Sequence, residues 1–125
     1  MAPVGPDRVG HDRGSATAEL AVVLPGLFLL TVLCVWAVLA VALHVQCVDA
    51  ARSGARALAR GEPVGAAVAV ARARGPEGAE VRVHHLDGGL VAVEVRAQAG
   101  LPGRWAHAPA PTVGGRVVAA AEGDP

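Results

Sequence analysis

A long uncharged stretch in the N-terminal half limits what this chain can fold into. Residues 20–48, called here the apolar segment, contain no Asp, Glu, Lys or Arg, and residues 20–43 are almost wholly apolar. About 20 such residues allow a helix to cross the hydrocarbon core of a bilayer. The stretch exceeds the roughly 7–15 apolar residues of a secretory signal. The sequence therefore predicts one transmembrane helix over residues of about 20–43.

Composition excludes several other classes of protein. The chain is 53% hydrophobic but only 2% aromatic, so it has few bulky side chains for a large soluble core. Its formal net charge is zero, so we expect no nucleic-acid partner. We find no metal-ligand spacing and no nucleophile–base arrangement, and predict neither a cofactor nor an enzymatic activity. Cys34 and Cys47 fall in one predicted helix about 20 Å apart, too far for a disulfide within the chain. A bond between chains through Cys47 stays open.

Pro25 and Gly26 interrupt the apolar segment near its start. Proline removes a backbone donor and pushes against the preceding turn, so the pair predicts a helix kink. In lipid the freed carbonyl group needs another partner. We therefore expect a neighbouring helix to pack there.

Beyond the apolar segment the helical pattern continues. Arg52, Arg56 and Arg60 recur at helical spacing and predict a polar stripe, interpreted as a solvated face or, alternatively, as a site for anionic headgroups. Gly61 predicts the helix end. A single helix over residues 17–60 would be about 66 Å long. A short second helix is predicted at Val64–Arg74.

The C-terminal part changes to the two-residue period of strands. Residues 80–84 and 91–96 alternate around an Asp-Gly-Gly turn, which predicts a hairpin. Residues 100–115 are predicted to form a loop, with Trp105 covering one sheet face, and residues 116–121 a third strand. The fold class is therefore α+β: a long N-terminal transmembrane helix, a short helix and a small antiparallel sheet.

The first predicted strand contains two adjacent histidines, which are candidate metal ligands. His84 and His85 point to opposite faces of a strand and cannot easily share one ion. A zinc site needs three or four convergent ligands. We interpret both as solvated strand residues.

A short motif directly precedes the apolar segment. Residues 13–19 read RGSATAE, after a leader rich in charge, Gly and Pro that we expect to be disordered. The motif resembles the class III leader of type IV pilins, in which a membrane peptidase cuts after Gly on the cytoplasmic side and Glu is the fifth mature residue. The resemblance implies cleavage between Gly14 and Ser15, and an assembly role for Glu19.

Glu19 stands where a carboxylate is costly unless it is paired or protonated. By the resemblance, its partner is the free amine of a neighbouring subunit's cleaved N-terminus, here that of Ser15. The two residues lie about 6 Å apart along the helix, so a small axial shift between subunits would pair them. Alternatively, Glu19 complements the helix dipole while Ser15 or Thr17 caps the helix.

Two further stretches resemble the TadE-like family, minor pilin-like proteins of tight-adherence (Flp) pilus systems. They are AELAVVLP at residues 18–25 and VDAARSGARA at residues 48–57. Leu20 follows Glu19 where major Flp pilins have Tyr, which argues against a shaft subunit. The resemblance implies a structural pilus-assembly component that is processed by prepilin peptidase. Its implied partners are other pilin-like subunits, Tad-type assembly machinery and membrane lipid.

These expectations define three regions. They are a cytoplasmic leader at 1–14, a long helix at 15–60 and a small extracytoplasmic α+β tail at 61–125. Arginine counts on the two sides of the span, two before and three after, favour the opposite orientation by one charge. The alternatives are an uncleaved single-pass accessory protein of a secretion system, or a small membrane-bound regulator with a cytoplasmic tail.

Overall fold

The computed structural model describes the backbone of residues 7–100 and 107–120, and the side chains of residues 14–100 and 107–120. The elements in chain order are α1 (Asp7–Ala59), α2 (Val64–Arg74), β1 (Glu80–Leu86), β2 (Leu90–Gln98) and β3 (Thr112–Ala120). The predicted α+β class is confirmed. The chain divides into two compact units, Met1–Trp36 and Ala37–Pro125, and the boundary falls within α1.

The first helix begins earlier than the sequence pattern predicted. α1 starts at Asp7, so residues 7–14 are helical and the expectation of a disordered leader is wrong for them. The sequence has a proline directly before this start, and a proline there costs no helical hydrogen bond. Residues 1–6 lie outside the described part. α1 continues through Pro25, and the bend expected there stays a prediction.

α1 ends at Ala59, close to the end that Gly61 predicted. Gly61 has a φ of 79°, which a glycine adopts without the penalty of a Cβ. Its N–H donates to the carbonyl of Leu58 at 2.9 Å, and the Glu62 N–H donates to that of Ala57 at 3.1 Å. This pair of bonds is the Schellman arrangement, which satisfies the last carbonyls of a helix.

The three strands form one antiparallel sheet in the order β1-β2-β3. The predicted hairpin is confirmed: Leu86 pairs with Leu90 around Asp87-Gly88-Gly89, and both glycines have positive φ. The third strand exists but begins at Thr112, so the predicted loop over residues 100–115 was too long. Gly114 and Gly115 lie inside β3, where their pairing with Arg96 and Val95 outweighs their weak strand propensity. Trp105 lies outside the described residues.

The core of the second unit is built from small side chains. One face of β2 presents Val91, Val93, Val95 and Ala97, all buried, toward the helices. The helical side of the same cluster consists of Cys47, Ala50, Ala51, Ala55, Ala57 and Leu58 of α1 with Ala67 and Ala71 of α2. Because alanines dominate, the elements must approach closely for the core to exclude water.

Two glycines permit that approach. A Cβ added to Gly115 would lie 2.6 Å from both Cα and N of Val48, a distance that forces the backbone of β3 or α1 to move. A Cβ added to Gly54 would lie 3.1 Å from Cβ of Ala71 and 3.2 Å from Cγ1 of Val93. These glycines therefore set how near β3 comes to α1, and α1 to α2 and β2.

Candidate processing and assembly site

The residues of the predicted cleavage site lie in the first unit, on α1. Gly14 and Ser15 are both exposed, and nothing lies within 4 Å of a Cβ placed on Gly14. The backbone is helical across the bond between them. Glycine inside a helix costs roughly 1 kcal/mol relative to alanine, so Gly14 lowers the cost of local unwinding at that bond. A protease that binds extended chains would need such unwinding.

Glu19 lies one helical turn beyond Ser15 and is exposed. It forms no ion pair with any side chain in the described residues 14–100 and 107–120. The apolar segment begins at the next residue, Leu20, which is also exposed. The carboxylate is therefore exposed at the start of the apolar surface.

The surface after Glu19 is apolar on every side of the helix. Leu24, Phe28, Leu30 and Val38 are among its exposed large side chains. The helical residues Gly14–Ala59 include a window with a mean hydropathy of 2.7, none of it buried, and are long and apolar enough to cross a membrane. Thr31, a polar residue within this surface, donates its hydroxyl to the Leu27 carbonyl at 2.8 Å. A hydroxyl satisfied by its own helix can enter lipid at low cost.

The arginine stripe predicted after the apolar segment is exposed, and each member has a partner close in sequence. Arg52 lies 3.8 Å from the Asp49 carboxylate, Arg56 donates to the Ser53 hydroxyl at 3.4 Å, and Arg60 lies 2.6 Å from the Glu62 carboxylate. Exposed pairs of this kind contribute little, about 0–1 kcal/mol each. Exposure fits a solvated face and a headgroup contact equally well.

A polar cluster on the sheet was not anticipated from the sequence. It lies on the face of β2 opposite to the core, where Oε1 of Glu94 accepts from Nε of Arg96 at 2.6 Å, and Oε2 of Glu94 lies 3.4 Å from Nε2 of His84. Hydrogen bonding to Arg96 lowers the pKa of Glu94, against the opposing effect of its partial burial. His84 and Glu94 are cross-strand diagonal neighbours in the observed register.

A sequence signal for this cluster was present. Glu94 and Arg96 are two residues apart on a predicted strand, so they share a face, but their pairing to His84 required the register. The described residues contain no group of three or more His, Cys, Asp or Glu that could hold a metal ion. The cluster links β1 to β2 on the outer face of the sheet through the contact of His84 with Glu94.

The fold and the helical site define a class: a small α+β domain carried by an N-terminal helix that is apolar enough to cross a membrane. Comparison with known proteins narrows this class. Residues 14–56 match the family of TadE-like proteins, so the helical segment of this chain is similar to that family. The family is associated with Tad pili.

A curated relative extends the likeness beyond the helix. The chain is 45% identical over 83 residues to the protein named apoptosis inhibitor Rv3655c of Mycobacterium tuberculosis, an alignment that includes 66% of this chain. The chain spans 65% of the length of that relative. No solved structure matches the chain.

Proposed function

We propose that this protein is a structural component of pilus assembly, a minor pilin-like subunit processed by prepilin peptidase. One observation carries the proposal. The Gly14–Ser15 bond lies five residues before the start of an exposed apolar helix, with Glu19 as the last charged residue before it. This motif falls inside the segment that matches the TadE-like family.

The chemistry follows from the helix geometry. Cleavage after Gly14 would remove the leader and leave a protonated amine on Ser15, at the tip of the remaining helix. On a neighbouring pilin-like subunit, shifted axially, that amine would meet the exposed Glu19 carboxylate. Such a pair would remove an isolated charge from the edge of hydrocarbon, where it is costly. The exposed apolar surface beyond it would pack against helices of the other subunits or against lipid.

Mass measurement of the N-terminus tests processing. The protein, purified from membranes of cells that express prepilin peptidase, should have a mature chain that begins at Ser15. Gly14→Val, which places a branched side chain at the cut site, should retain Met1. The control Gly65→Ala, in a helix remote from the site, should be cut normally. An intact Met1 in the wild-type chain favours the uncleaved accessory protein of a secretion system.

Removal of the carboxylate tests assembly. Glu19→Ala should lower the amount of the protein recovered with Tad pilus preparations by tenfold or more, because losing a hydrogen-bonded charge pair costs on the order of 1.5–3 kcal/mol. Glu77→Gln removes another exposed carboxylate, outside the helix, and should have no effect. Unchanged recovery of Glu19→Ala would contradict an assembly role, whatever the result of the cleavage experiment.

Orientation is the remaining part of the proposal. Cleavage on the cytoplasmic side requires a cytoplasmic N-terminus and an extracytoplasmic tail. Asp87→Cys in the exposed hairpin turn, in a Cys34→Ala background, should react with a membrane-impermeant thiol reagent in intact cells whose outer layers are permeable to it. Reaction only after lysis would place the tail in the cytoplasm and favour the regulator alternative.

A second candidate function comes from the mycobacterial relative, whose name describes an apoptosis inhibitor. The 45% identity over 83 residues favours a shared property of these two chains. If it is shared, purified protein given to cultured animal cells should lower caspase activation after a standard death stimulus. The same assay with heat-unfolded protein is the control. Equal caspase activation with folded and unfolded protein would exclude this candidate.

A further inference from the structure

The sheet in the second unit has a definite direction along α1. Gly115 faces Val48, while Val117 and Ala119 line a shallow groove with Arg52, Ala55, Arg56 and Ala59. β3 therefore runs in the same direction as α1, away from the apolar segment. β2 is antiparallel to β3, so the paired residues Gln98 and Thr112 lie at the sheet end nearer the apolar segment.

That end reaches the level of the apolar segment itself. Thr112 precedes Gly115 by three strand residues, about 10 Å, which corresponds to roughly five to seven residues of helix before Val48. The level is that of α1 residues of about 41–43. Leu43 is half-buried against the core, whereas Val41 is 63% exposed and Val45 is 51% exposed. The domain and the exposed apolar helix surface therefore overlap along α1.

The chain at this end, called here the proximal rim, comprises the described residues 99–100 and 107–112. The Ala99 N–H donates to the Pro111 carbonyl at 3.0 Å and closes the base of the connection between β2 and β3. No Asp or Glu occurs in the sequence between Glu94 and Glu122, and the rim itself is Ala, Gly, Pro, Thr and one His. Glu80 at the start of β1 also lies at this end of the sheet and forms an ion pair with Arg82 at 2.7 Å. The opposite end of the sheet carries Asp87 in its turn.

We propose that the proximal rim rests in the interfacial layer of a lipid bilayer, beside the point where α1 leaves the hydrocarbon. The inference rests on the membrane-spanning role of α1 in the proposed function. The rim itself carries no carboxylate and that of the nearby Glu80 is paired with Arg82, so a surface with anionic lipids would repel this end of the sheet little. Proline and alanine expose little polar surface beyond their backbone, and the headgroup layer, unlike the hydrocarbon core, offers water to the backbone groups that remain.

Depth-dependent fluorescence quenching tests the proposal. The full chain with Cys34→Ala, whose remaining Cys47 is buried, is labelled with an environment-sensitive fluorophore at one added cysteine. Pro109→Cys and Thr112→Cys probe the rim, Asp87→Cys probes the opposite end of the sheet, and Phe28→Cys probes the span. Each is reconstituted into phosphatidylcholine–phosphatidylglycerol vesicles that contain lipids with a nitroxide either near the headgroup or deep in the acyl chain.

We expect headgroup nitroxides to quench labels at residues 109 and 112 at least about twofold more than the label at residue 87, since interfacial groups lie within reach of that depth. The label at residue 28 should be quenched most by deep nitroxides. Equal quenching at 87, 109 and 112, with residue 28 deep, overturns the rim contact and leaves the span intact. Failure of deep nitroxides to quench residue 28 overturns the span and, with it, the inference.

Discussion

The two parts of α1 differ in the size of their apolar side chains and in what those side chains contact. In the first unit the large residues Leu24 and Phe28 are 60% and 72% exposed. In the second unit the buried positions of α1 are small apart from Leu58, and Cys47, Ala50 and Ala51 are fully buried. Both regions are hydrophobic, so hydropathy alone does not separate them. Side-chain size does, because large exposed groups need lipid or other helices, whereas small groups let a sheet pack directly on the helix.

A charged side chain in the exposed first part of α1 should have the largest effect on the protein. Leu30→Arg replaces a 55% exposed residue near the middle of the apolar segment. Arginine at the centre of a span costs about 3–4 kcal/mol more than leucine on insertion scales. The variant should therefore move from the membrane pellet to the soluble fraction after alkaline carbonate extraction.

Leu30→Ala, which keeps the site uncharged, should stay in the pellet. Reactivity of the buried Cys47 thiol, measured with Cys34→Ala, should be the same in all three proteins, because residue 30 lies outside the second unit. Retention of Leu30→Arg in the pellet would show that the first part of α1 does not depend on lipid.

A larger side chain in the packed part should be nearly as damaging. Gly115→Val places a Cβ 2.6 Å from the Val48 backbone and adds two methyl groups beyond it. Overpacking of this kind costs about 1–3 kcal/mol and occasionally more, and backbone atoms cannot turn aside. We expect about 3 kcal/mol, which would raise the rate of Cys47 modification by roughly 100-fold if modification follows local opening.

Gly65→Ala is the matched control for this prediction. Gly65 lies in α2 with nothing within 4 Å of an added Cβ, so alanine gains helix propensity without a clash. Cys47 should become slightly better protected, by about 0.5–1 kcal/mol. If Gly115→Val left Cys47 as protected as in Gly65→Ala, β3 would not pack on α1 as described.

Gly54→Ala should have two opposing effects on stability, a gain in the helix propensity of α1 and a loss in its packing against α2. Alanine gains about 1 kcal/mol of helix propensity, yet its Cβ would lie 3.1 Å from Cβ of Ala71 and 3.3 Å from the Ala67 carbonyl oxygen. Both contacts belong to α2, which must then move by a few tenths of an ångström. We expect a net loss of about 1 kcal/mol and a roughly fivefold rise in Cys47 modification. A gain in protection would show that α2 is free to shift.

The periodic parts of this fold could be predicted from the sequence. Alternation defined the hairpin, and Val64–Arg74 was predicted with the bounds that α2 has. Strand β3 was predicted too short because Gly114 and Gly115 favour a loop by propensity, and only their contact with α1 shows why glycine is needed. The early start of α1 was missed because charge and glycine in residues 7–14 suggested disorder.

The residues of the candidate sites were likewise predicted only in part from the sequence. The sequence spacing of Ser15 and Glu19 was enough to predict that they lie about one helical turn apart, because helix geometry is local. The cluster of His84, Glu94 and Arg96 depends on which residues of β1 and β2 pair, and a one-residue change of register would separate them. Alternation predicts strands but does not specify the register between them.

The smallest expected effect concerns the outer face of the sheet, where polar side chains contact one another instead of packing in a core. The bond from Arg96 lowers the pKa of Glu94 in the folded state below its ordinary value of 4.5. The unfolded chain therefore binds a proton more readily, and the stability contributed by ionised Glu94 is fully present above about pH 4.5 and is lost as pH falls through the lower, folded-state pKa. His84, Arg82 and Arg116 also face this carboxylate from the two neighbouring strands.

Glu94→Gln should flatten the fall in thermal midpoint between about pH 6 and pH 3, measured by circular dichroism in detergent micelles. The control Glu77→Gln, on an exposed turn, should keep the wild-type slope. Parallel curves for wild type and Glu94→Gln would mean that the sheet owes its stability to the buried valines alone.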